Sequence, residues 1–226
     1  YEELLSRASA DDFVYEEIDE DAAAAMCYTS GTTGQPKGVL YSHRAIALHS
    51  LASTQSGTLG VSEGDVILPV VPMFHANAWG YPYTCLMVGA KIVFPGPFLD
   101  PETLLDDFEQ QEVTITAGVP TIWMGILGML DKEPDRWKLD KLHSMLVGGS
   151  AAPRAMIAGF RQRHGKTVVH GWGMTETSPL ATASDYVGEL RHADEEAQID
   201  VVAMQGLPLP FVELRAMGDD GKEIPW

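Results

Sequence analysis

The sequence predicts an α/β fold with layered, substantially parallel sheets flanked by helices. Short apolar runs alternate with helical patterns along the chain, and glycine-rich segments follow three of these runs. Strands buried on both faces are continuously apolar, and their alternation with helices is typical of parallel sheets. Ligands of such sheets bind beyond the carboxyl ends of the strands. The segments at residues 29–38, 148–151 and 171–176 are therefore expected to share a site.

Individual elements follow from local signals. Ser42 is a candidate N-cap for a helix to about residue 56, and Asp100 and Pro101 together mark a strong helix start. Pro153 opens another helix, which Gly165 ends. An apolar helix is predicted at residues 121–130. Apolar or β-branched runs predict strands at residues 24–28, 66–71, 91–94, 113–117, 142–147 and 167–170.

The charge of the chain limits what it can bind. Its 226 residues carry a net charge of −17, which argues against nucleic-acid binding because that requires a basic face. An acidic protein that binds a nucleotide must hold the phosphates locally, through backbone N–H groups and a metal ion. The acidic stretch at residues 11–21 is predicted to be a solvated entry segment.

The two cysteines indicate the redox environment of the protein. Cys27 and Cys85 lie among apolar residues, which favours buried, reduced thiols of an intracellular, cytoplasmic protein. A disulfide or a nucleophilic thiol remains an alternative. No apolar run approaches the roughly 20 residues that span a bilayer. The chain begins with Tyr1 and stops at Trp226, so it is expected to be a segment of a longer polypeptide.

The strongest functional signal is the sequence YTSGTTGQPKG at residues 28–38. Its three glycines allow close approach of the backbone to an anion, its hydroxyls can donate to phosphate oxygens, and Lys37 adds a positive charge. A Walker loop requires Lys-Ser/Thr directly after its second glycine, whereas Gln35 and Pro36 follow Gly34 here. The pattern therefore predicts a phosphate-binding loop of another kind.

Residues 28–38 resemble the signature loop of the adenylate-forming superfamily, which includes acyl-CoA synthetases, luciferases and adenylation domains. Four more segments follow in family order: VPMFHANAW at 71–79, VGGSAAP at 147–153, GWGMTET at 171–177 and GLP at 206–208. Residues 71–79 are most similar to the gate segment of medium- and long-chain fatty-acid–CoA ligases. The resemblance implies that residues 1–226 are part of the large N-terminal AMP-binding domain. It also implies that a mobile C-terminal domain lies outside the chain.

The resemblance implies specific roles in nucleotide and metal binding. Thr29 and Glu176 would hold Mg²⁺, the latter as the one acid of an otherwise uncharged loop. Trp172 would stack on adenine, where many relatives carry Tyr. His170 replaces an amide found in some relatives, which puts its contact in doubt. The residues implied to bind ATP are Thr29, Ser30, Gly31, Thr32, Thr33, Gly34, Lys37, Gly149, Ser150, Ala151, His170, Gly171, Trp172, Gly173 and Thr175.

The same resemblance implies a catalytic group and a gate for the acid. His75 would orient the carboxylate or stabilise developing charge, together with Lys37, Thr175 and Glu176. Ala76 and Trp79 would form the substrate gate. A satisfied core histidine and a fixed core tryptophan are the alternative interpretations of His75 and Trp79.

The expected activity is ATP-dependent conversion of a fatty acid to acyl-adenylate and then to acyl-CoA, with Mg²⁺ as cofactor and CoA as co-substrate. The family's ribose-binding Asp and C-terminal Lys lie beyond the matched motifs, so the isolated chain is expected to be nearly inactive. Activation of an aryl or amino acid, or nucleotide binding without catalysis, remains an alternative. No membrane span is expected, and the sequence leaves peripheral membrane association and a homodimer of the full-length enzyme open.

Overall fold

The computed structural model describes residues 2–9, 11, 13–29, 34–184 and 188–225. Its centre is a seven-stranded sheet in the order β4-β3-β5-β6-β7-β8-β9. The first five strands in this order are parallel, and β8 and β9 continue the sheet antiparallel. The strands are β3 (Val66–Pro69), β4 (Lys91–Ile92), β5 (Ile115–Gly118), β6 (Ser144–Val147), β7 (Val168–Gly173), β8 (Leu180–Ala183) and β9 (Leu207–Pro208).

Successive residues of a strand point to opposite faces of the sheet, and here both faces are apolar and covered by helices. Leu68 and Met145 belong to one apolar cluster, whereas their neighbours Ile67 and Leu146 belong to another. The first cluster contains side chains of α5 (Pro101–Gln110), α6 (Pro120–Lys132), α7 (Arg154–His164) and α8 (Glu195–Ala203). The second contains side chains of α4 (Tyr81–Val88), against which α2 (His43–Ser53) packs. The predicted layered α/β fold with a mostly parallel sheet is confirmed.

Several predicted helix ends are confirmed by their hydrogen bonds. The carboxylate of Asp100 accepts a hydrogen bond from the Thr103 amide at 3.0 Å, and the Ser42 hydroxyl accepts one from the Ala45 amide at 3.1 Å. Gly165 ends α7 in the left-handed conformation, with φ 61°. These positions were identifiable because capping depends on the chemistry of one or two local residues.

The strand predicted at residues 24–28 is longer than expected and is not part of the parallel sheet. Residues Ala23–Thr29 (β1) and Lys37–Ser42 (β2) form a separate antiparallel hairpin outside the parallel sheet. The apolar run at residues 24–28 suggests a buried strand, but only one face of β1 is covered: Cys27 is buried, whereas Met26 and Tyr28 are 52% and 65% exposed. An apolar run alone could not distinguish a two-sided buried strand from a hairpin with one uncovered face.

The chain ends contain elements that the motifs did not predict. A short helix, α1 (Glu2–Leu5), precedes the acidic stretch, whose described residues are all exposed. Helix α8 begins at Asp194, whose carboxylate accepts a hydrogen bond from the Ala197 amide at 2.8 Å. The sequence Asp194-Glu195-Glu196 is a start signal that could have identified this helix. Among the described residues, no helix is long and apolar enough to cross a membrane.

Candidate active site

A cavity of about 510 Å³ lies beside the carboxyl ends of β6 and β7, where parallel sheets bind ligands. Five separate stretches of the chain contribute to its wall. They are the end of β1, the loop after α2, the turn after β3, the glycine-rich end of β6, and the segment from the end of β7 to the start of β8. The lining residues are Thr29, Leu59, His75, Ala76, Trp79, Leu146, Gly148, Gly149, Gly171, Gly173, Met174, Thr175, Glu176, Pro179 and Leu180.

The wall that carries His75, Ala76 and Trp79 has an unusual backbone. Residues Ala76–Trp79 (α3) form one turn in which all four φ angles are positive, between 45° and 54°. This conformation costs roughly 1–2 kcal/mol for each residue with a Cβ atom. The turn ends at Gly80, also left-handed, where an added Cβ would lie 2.7 Å from the His49 ring. Tertiary contacts must therefore hold this segment, because its own sequence favours another conformation.

Trp79 packs closely against the loop that follows β6. A Cβ atom added to Gly148 would lie 3.1 Å from Cη2 of the indole, and one added to Gly149 would lie 3.8 Å from Cζ2. Both glycines line the cavity with Trp79. The absence of side chains at 148 and 149 thus makes room for the indole ring.

Glu176 lies on a 3₁₀ turn, Thr175–Thr177, at the end of β7. The Tyr41 hydroxyl of β2 donates a hydrogen bond to the Thr175 carbonyl at 2.7 Å. This contact fixes the hairpin beside the turn, so Thr29 and Glu176 face the same cavity. Burial is the main cause that raises the pKa of Tyr41, and Cys27 and the negative charge of Glu176 add to it. Tyr41 is therefore a neutral hydrogen-bond donor at physiological pH.

His170 lies behind the cavity and not in its wall. Its side chain is fully buried, and burial lowers its pKa. Nε2 accepts a hydrogen bond from the Ala152 amide at 3.2 Å, so the proton of the neutral ring is on Nδ1, which donates to the Val202 carbonyl at 3.2 Å. The expectation of a nucleotide contact is thus corrected: both ring nitrogens are used to hold residue 152 to α8.

The structure places the remaining predicted ligands differently. Gly149, Gly171, Gly173, Thr175 and Glu176 line the cavity with Thr29. Four others do not line it: Ser150, Ala151 and Lys37 are exposed beside it, and Trp172 is half-buried. Lys37 opens β2, directly opposite Thr29 in the hairpin register. The predicted ligands Ser30, Gly31, Thr32 and Thr33 lie outside the described residues; Gly34 is described, exposed and left-handed with φ 79°.

Sequence reasoning missed three residues that shape the site. Tyr41 fixes the turn of Glu176, Asn77 lies inside the left-handed turn, and Gly148 accommodates the indole of Trp79. Asn is the residue type, after glycine, that most readily adopts the left-handed conformation. That preference was the one available signal for Asn77. The contacts of Tyr41 and Gly148 join residues far apart in sequence, so no local pattern could reveal them.

Comparisons with known proteins agree with this geometry. The family model described as AMP-binding enzyme matches residues 1–225. The 3-methylmercaptopropionyl-CoA ligase of Ruegeria lacuscaerulensis is 47% identical over 225 residues, which are 100% of this chain and 41% of that protein. The long-chain-fatty-acid–CoA ligase of Thermus thermophilus is 49% identical over 208 residues, which are 92% of this chain and 38% of that protein. The chain thus spans about two-fifths of the length of these curated relatives.

Solved structures share the fold over nearly the whole chain. A long-chain-fatty-acid-CoA ligase from Archaeoglobus fulgidus has a TM-score of 0.82 and 25% identity, covering 99% of this chain and 44% of that one. The O-succinylbenzoate coenzyme A synthetase of Bacillus subtilis, in complex with ATP and magnesium ion, has a TM-score of 0.78 and 26% identity. The match covers 99% of this chain and 43% of the chain of that synthetase.

Proposed function

Because the chain belongs to the AMP-binding enzyme family, we propose that it forms the ATP- and acid-binding part of a CoA ligase for fatty acids. The observation that carries the proposal is the single cavity shared by Thr29, His75 and Glu176. The relatives named for fatty-acid–CoA ligation, one of them 49% identical, support the substrate class. Residues 1–226 are then part of one AMP-binding domain, with the mobile C-terminal domain outside the chain.

The proposed reaction has two steps. A carboxylate oxygen of the acid attacks the α-phosphorus of ATP, the bond to the β-phosphate breaks, and acyl-adenylate and pyrophosphate form. The thiolate of CoA then attacks the acyl carbon and releases AMP. Neither step needs a covalent intermediate on the protein. The chain contributes by aligning the reactants and by neutralising charge on the phosphates.

Several residues of the cavity wall have a part in this scheme. The hydroxyls of Thr29 and Thr175 donate to phosphate oxygens, and His75 orients the carboxylate of the acid. Gly149, Gly171 and Gly173 let the nucleotide lie close to the backbone. Ala76 and Trp79 bound the entrance for the acid.

The residues present also fit a magnesium ion. The Glu176 carboxylate and the Thr29 hydroxyl are hard oxygen donors, and both line the cavity. Magnesium in proteins is held by one or two carboxylates together with substrate phosphates, which matches this donor set. When bound, the ion would neutralise negative charge on the phosphates of ATP. Among the described residues no group of three His, Cys, Asp or Glu side chains could hold a metal alone, so the phosphates would complete the site.

A shorter acid is the second candidate substrate. The 47% identity to a 3-methylmercaptopropionyl-CoA ligase extends over 225 residues, as much of the chain as any fatty-acid relative named here. Pyrophosphate release should therefore be measured over straight-chain acids of increasing length, with 3-methylmercaptopropionate, benzoate and an amino acid added. A maximum at medium or long chains supports the proposal, and a maximum at the thioether acid or at benzoate contradicts its substrate class.

The role of Glu176 gives the first prediction. In the longest natural polypeptide that contains this chain, Glu176→Gln should lower pyrophosphate release on the order of 100-fold, because the oriented carboxylate charge is lost. The isolated 226-residue chain should bind ATP with Mg²⁺ in calorimetry and form almost no acyl-CoA. Half-buried Glu109→Gln on α5, which is not part of the cavity wall, is the matched control, because the amide oxygen of Gln can keep the hydrogen bond that Glu109 accepts from the Lys138 amide. Equal activity of both variants would remove Glu176 from the site.

A further inference from the structure

A small polar cluster lies under the left-handed turn, and the scheme above gives it no role. It consists of Cys27 on β1, Tyr41 on β2, Asn77 in the turn and Tyr83 on α4. Cys27 and Tyr41 are 3% and 2% exposed. The cluster therefore joins the hairpin, the turn and a helix in a place where unpaired polar groups would be unfavourable.

Asn77 is the centre of this cluster because both ends of its amide have partners. Its Oδ1 accepts a hydrogen bond from the Cys27 thiol, and its Nδ2 donates to the Tyr83 hydroxyl at 2.7 Å. The first contact reaches back to the strand that presents Thr29. The second reaches forward to the helix that follows the turn. One side chain thus bridges elements 50 residues apart in sequence.

The backbone at Asn77 shows why such a bridge is needed. Its own φ of 53° suits an asparagine, but Ala76, Ala78 and Trp79 have the same strained sign. Two of these three residues line the cavity. If the turn relaxed toward a right-handed or extended form, Trp79 would leave Gly148 and His75 would leave the cavity wall. The amide of Asn77 opposes that relaxation at the middle of the turn.

Tyr41 connects the cluster to the opposite wall of the cavity, which carries Glu176. Tyr41, on the strand that pairs with that of Cys27, donates to the carbonyl of Thr175, beside Glu176. Two hydrogen bonds therefore start from the β1–β2 hairpin: the one from Cys27 holds Asn77 on the acid side of the cavity, and the one from Tyr41 holds the Thr175 turn on the phosphate side.

We propose that Asn77 is a positioning residue for acid activation: its amide holds the left-handed turn so that His75 and Trp79 meet the wall that presents Thr29 and Glu176. The identification of the acid as the positioned reactant rests on the proposed function. The positioning itself is a property of the turn and can be measured without turnover.

Two substitutions separate the side chain from the backbone. Asn77→Gly retains easy access to the left-handed conformation and loses both hydrogen bonds, whereas Asn77→Ala loses both bonds and adds strain. Cys27→Ser keeps a donor for Oδ1, and Cys27→Ala removes it. Thr116→Val is the matched control, because the buried Thr116 hydroxyl donates only to the Leu68 carbonyl, in the middle of the sheet.

The first readout uses the longest natural polypeptide that contains this chain, labelled with 5-fluorotryptophan. The ¹⁹F resonance of Trp79, assigned with Trp79→Phe, should shift in Asn77→Gly, Asn77→Ala and Cys27→Ala. It should keep its wild-type position in Thr116→Val and lie near it in Cys27→Ser. An unchanged Trp79 resonance in folded Asn77→Gly overturns the proposal, as does an equal shift in Thr116→Val.

The second readout is turnover in the longest natural polypeptide that contains this chain. Asn77→Gly should lower kcat/KM for the acid on the order of 10- to 100-fold, as expected for misplaced reacting groups. The KM for the acid should rise more than the KM for ATP, and the chain-length preference should broaden. Loss of stability with an unchanged acid profile would make Asn77 merely structural and overturn the proposal. A wild-type polypeptide without ligase activity would instead contradict the proposed function, and the ¹⁹F result would still decide the positioning.

Discussion

A missing side chain at residue 148 determines how the indole of Trp79 sits in the cavity. An alanine Cβ there would lie 3.1 and 3.3 Å from two ring carbons and 3.4 Å from the Gly171 carbonyl oxygen. Gly148→Ala should therefore displace the indole by a few tenths of an ångström and raise the KM for the acid about 10-fold, less than the roughly 100-fold that a misplacement of 1 Å can cost. Steady-state kinetics in the longest natural polypeptide containing this chain measure the effect.

The control for this substitution is another glycine with free space around it. Gly128 is exposed within α6, and an added Cβ would meet nothing within 4 Å. Gly128→Ala should leave the kinetics unchanged and raise the free energy of unfolding by about 0.5–1 kcal/mol, because alanine favours the helix. A wild-type KM for the acid in Gly148→Ala would show that Trp79 does not bound the acid site.

Two buried histidines make the packing between elements sensitive to pH. Burial lowers the pKa of His49 on α2 to about 4, and it also lowers the pKa of His170 on β7. The free imidazole titrates at about 6.5, so below that pH the unfolded chain binds more protons than the folded one. Stability should be constant above pH ~6.5 and fall as the pH drops towards 4, by up to roughly 1.4 kcal/mol per pH unit per histidine. Denaturant unfolding between pH 4.5 and 7.5 measures this slope.

Substitution of one histidine isolates its contribution to the pH dependence of stability. His49→Gln removes one titrating group and should reduce the slope between pH 4.5 and 6.5, whatever its effect on absolute stability. The hydrogen bonds of Asp65 lower its pKa, so its stabilising contribution is present above pH ~4 and is lost only at lower pH. An identical slope in His49→Gln and the wild type would show that His49 is protonated in the folded state.

For the molecule as a whole, the sequence was sufficient where structure depends on local chemistry. Buried runs such as β5 and β6 and the caps of α5 and α7 were predictable because each needs only its own residues. The signature motifs also predicted that Thr29 and Glu176 lie at one site, and both residues line one cavity. The hairpin, the left-handed turn and the position of His170 were not predictable. The left-handed turn and the buried position of His170 depend on contacts between residues far apart in the chain, and the apolar run of β1 does not show which strand it pairs with.

The net charge of −17 leads to a prediction about the whole molecule. The overall field of the protein repels ATP, so the cavity must bind the phosphates through short-range contacts with N–H groups, hydroxyls and a cation. Salt screens the long-range repulsion beyond about 10 Å at 0.1 M and affects the short-range contacts much less. At saturating Mg²⁺, raising NaCl from about 50 to about 200 mM should therefore leave the affinity of the chain for ATP unchanged or increase it, as calorimetry can measure. A steep loss of affinity would mean that exposed cations such as Lys37 dominate binding, and that the cavity around Glu176 is not where the phosphates are held.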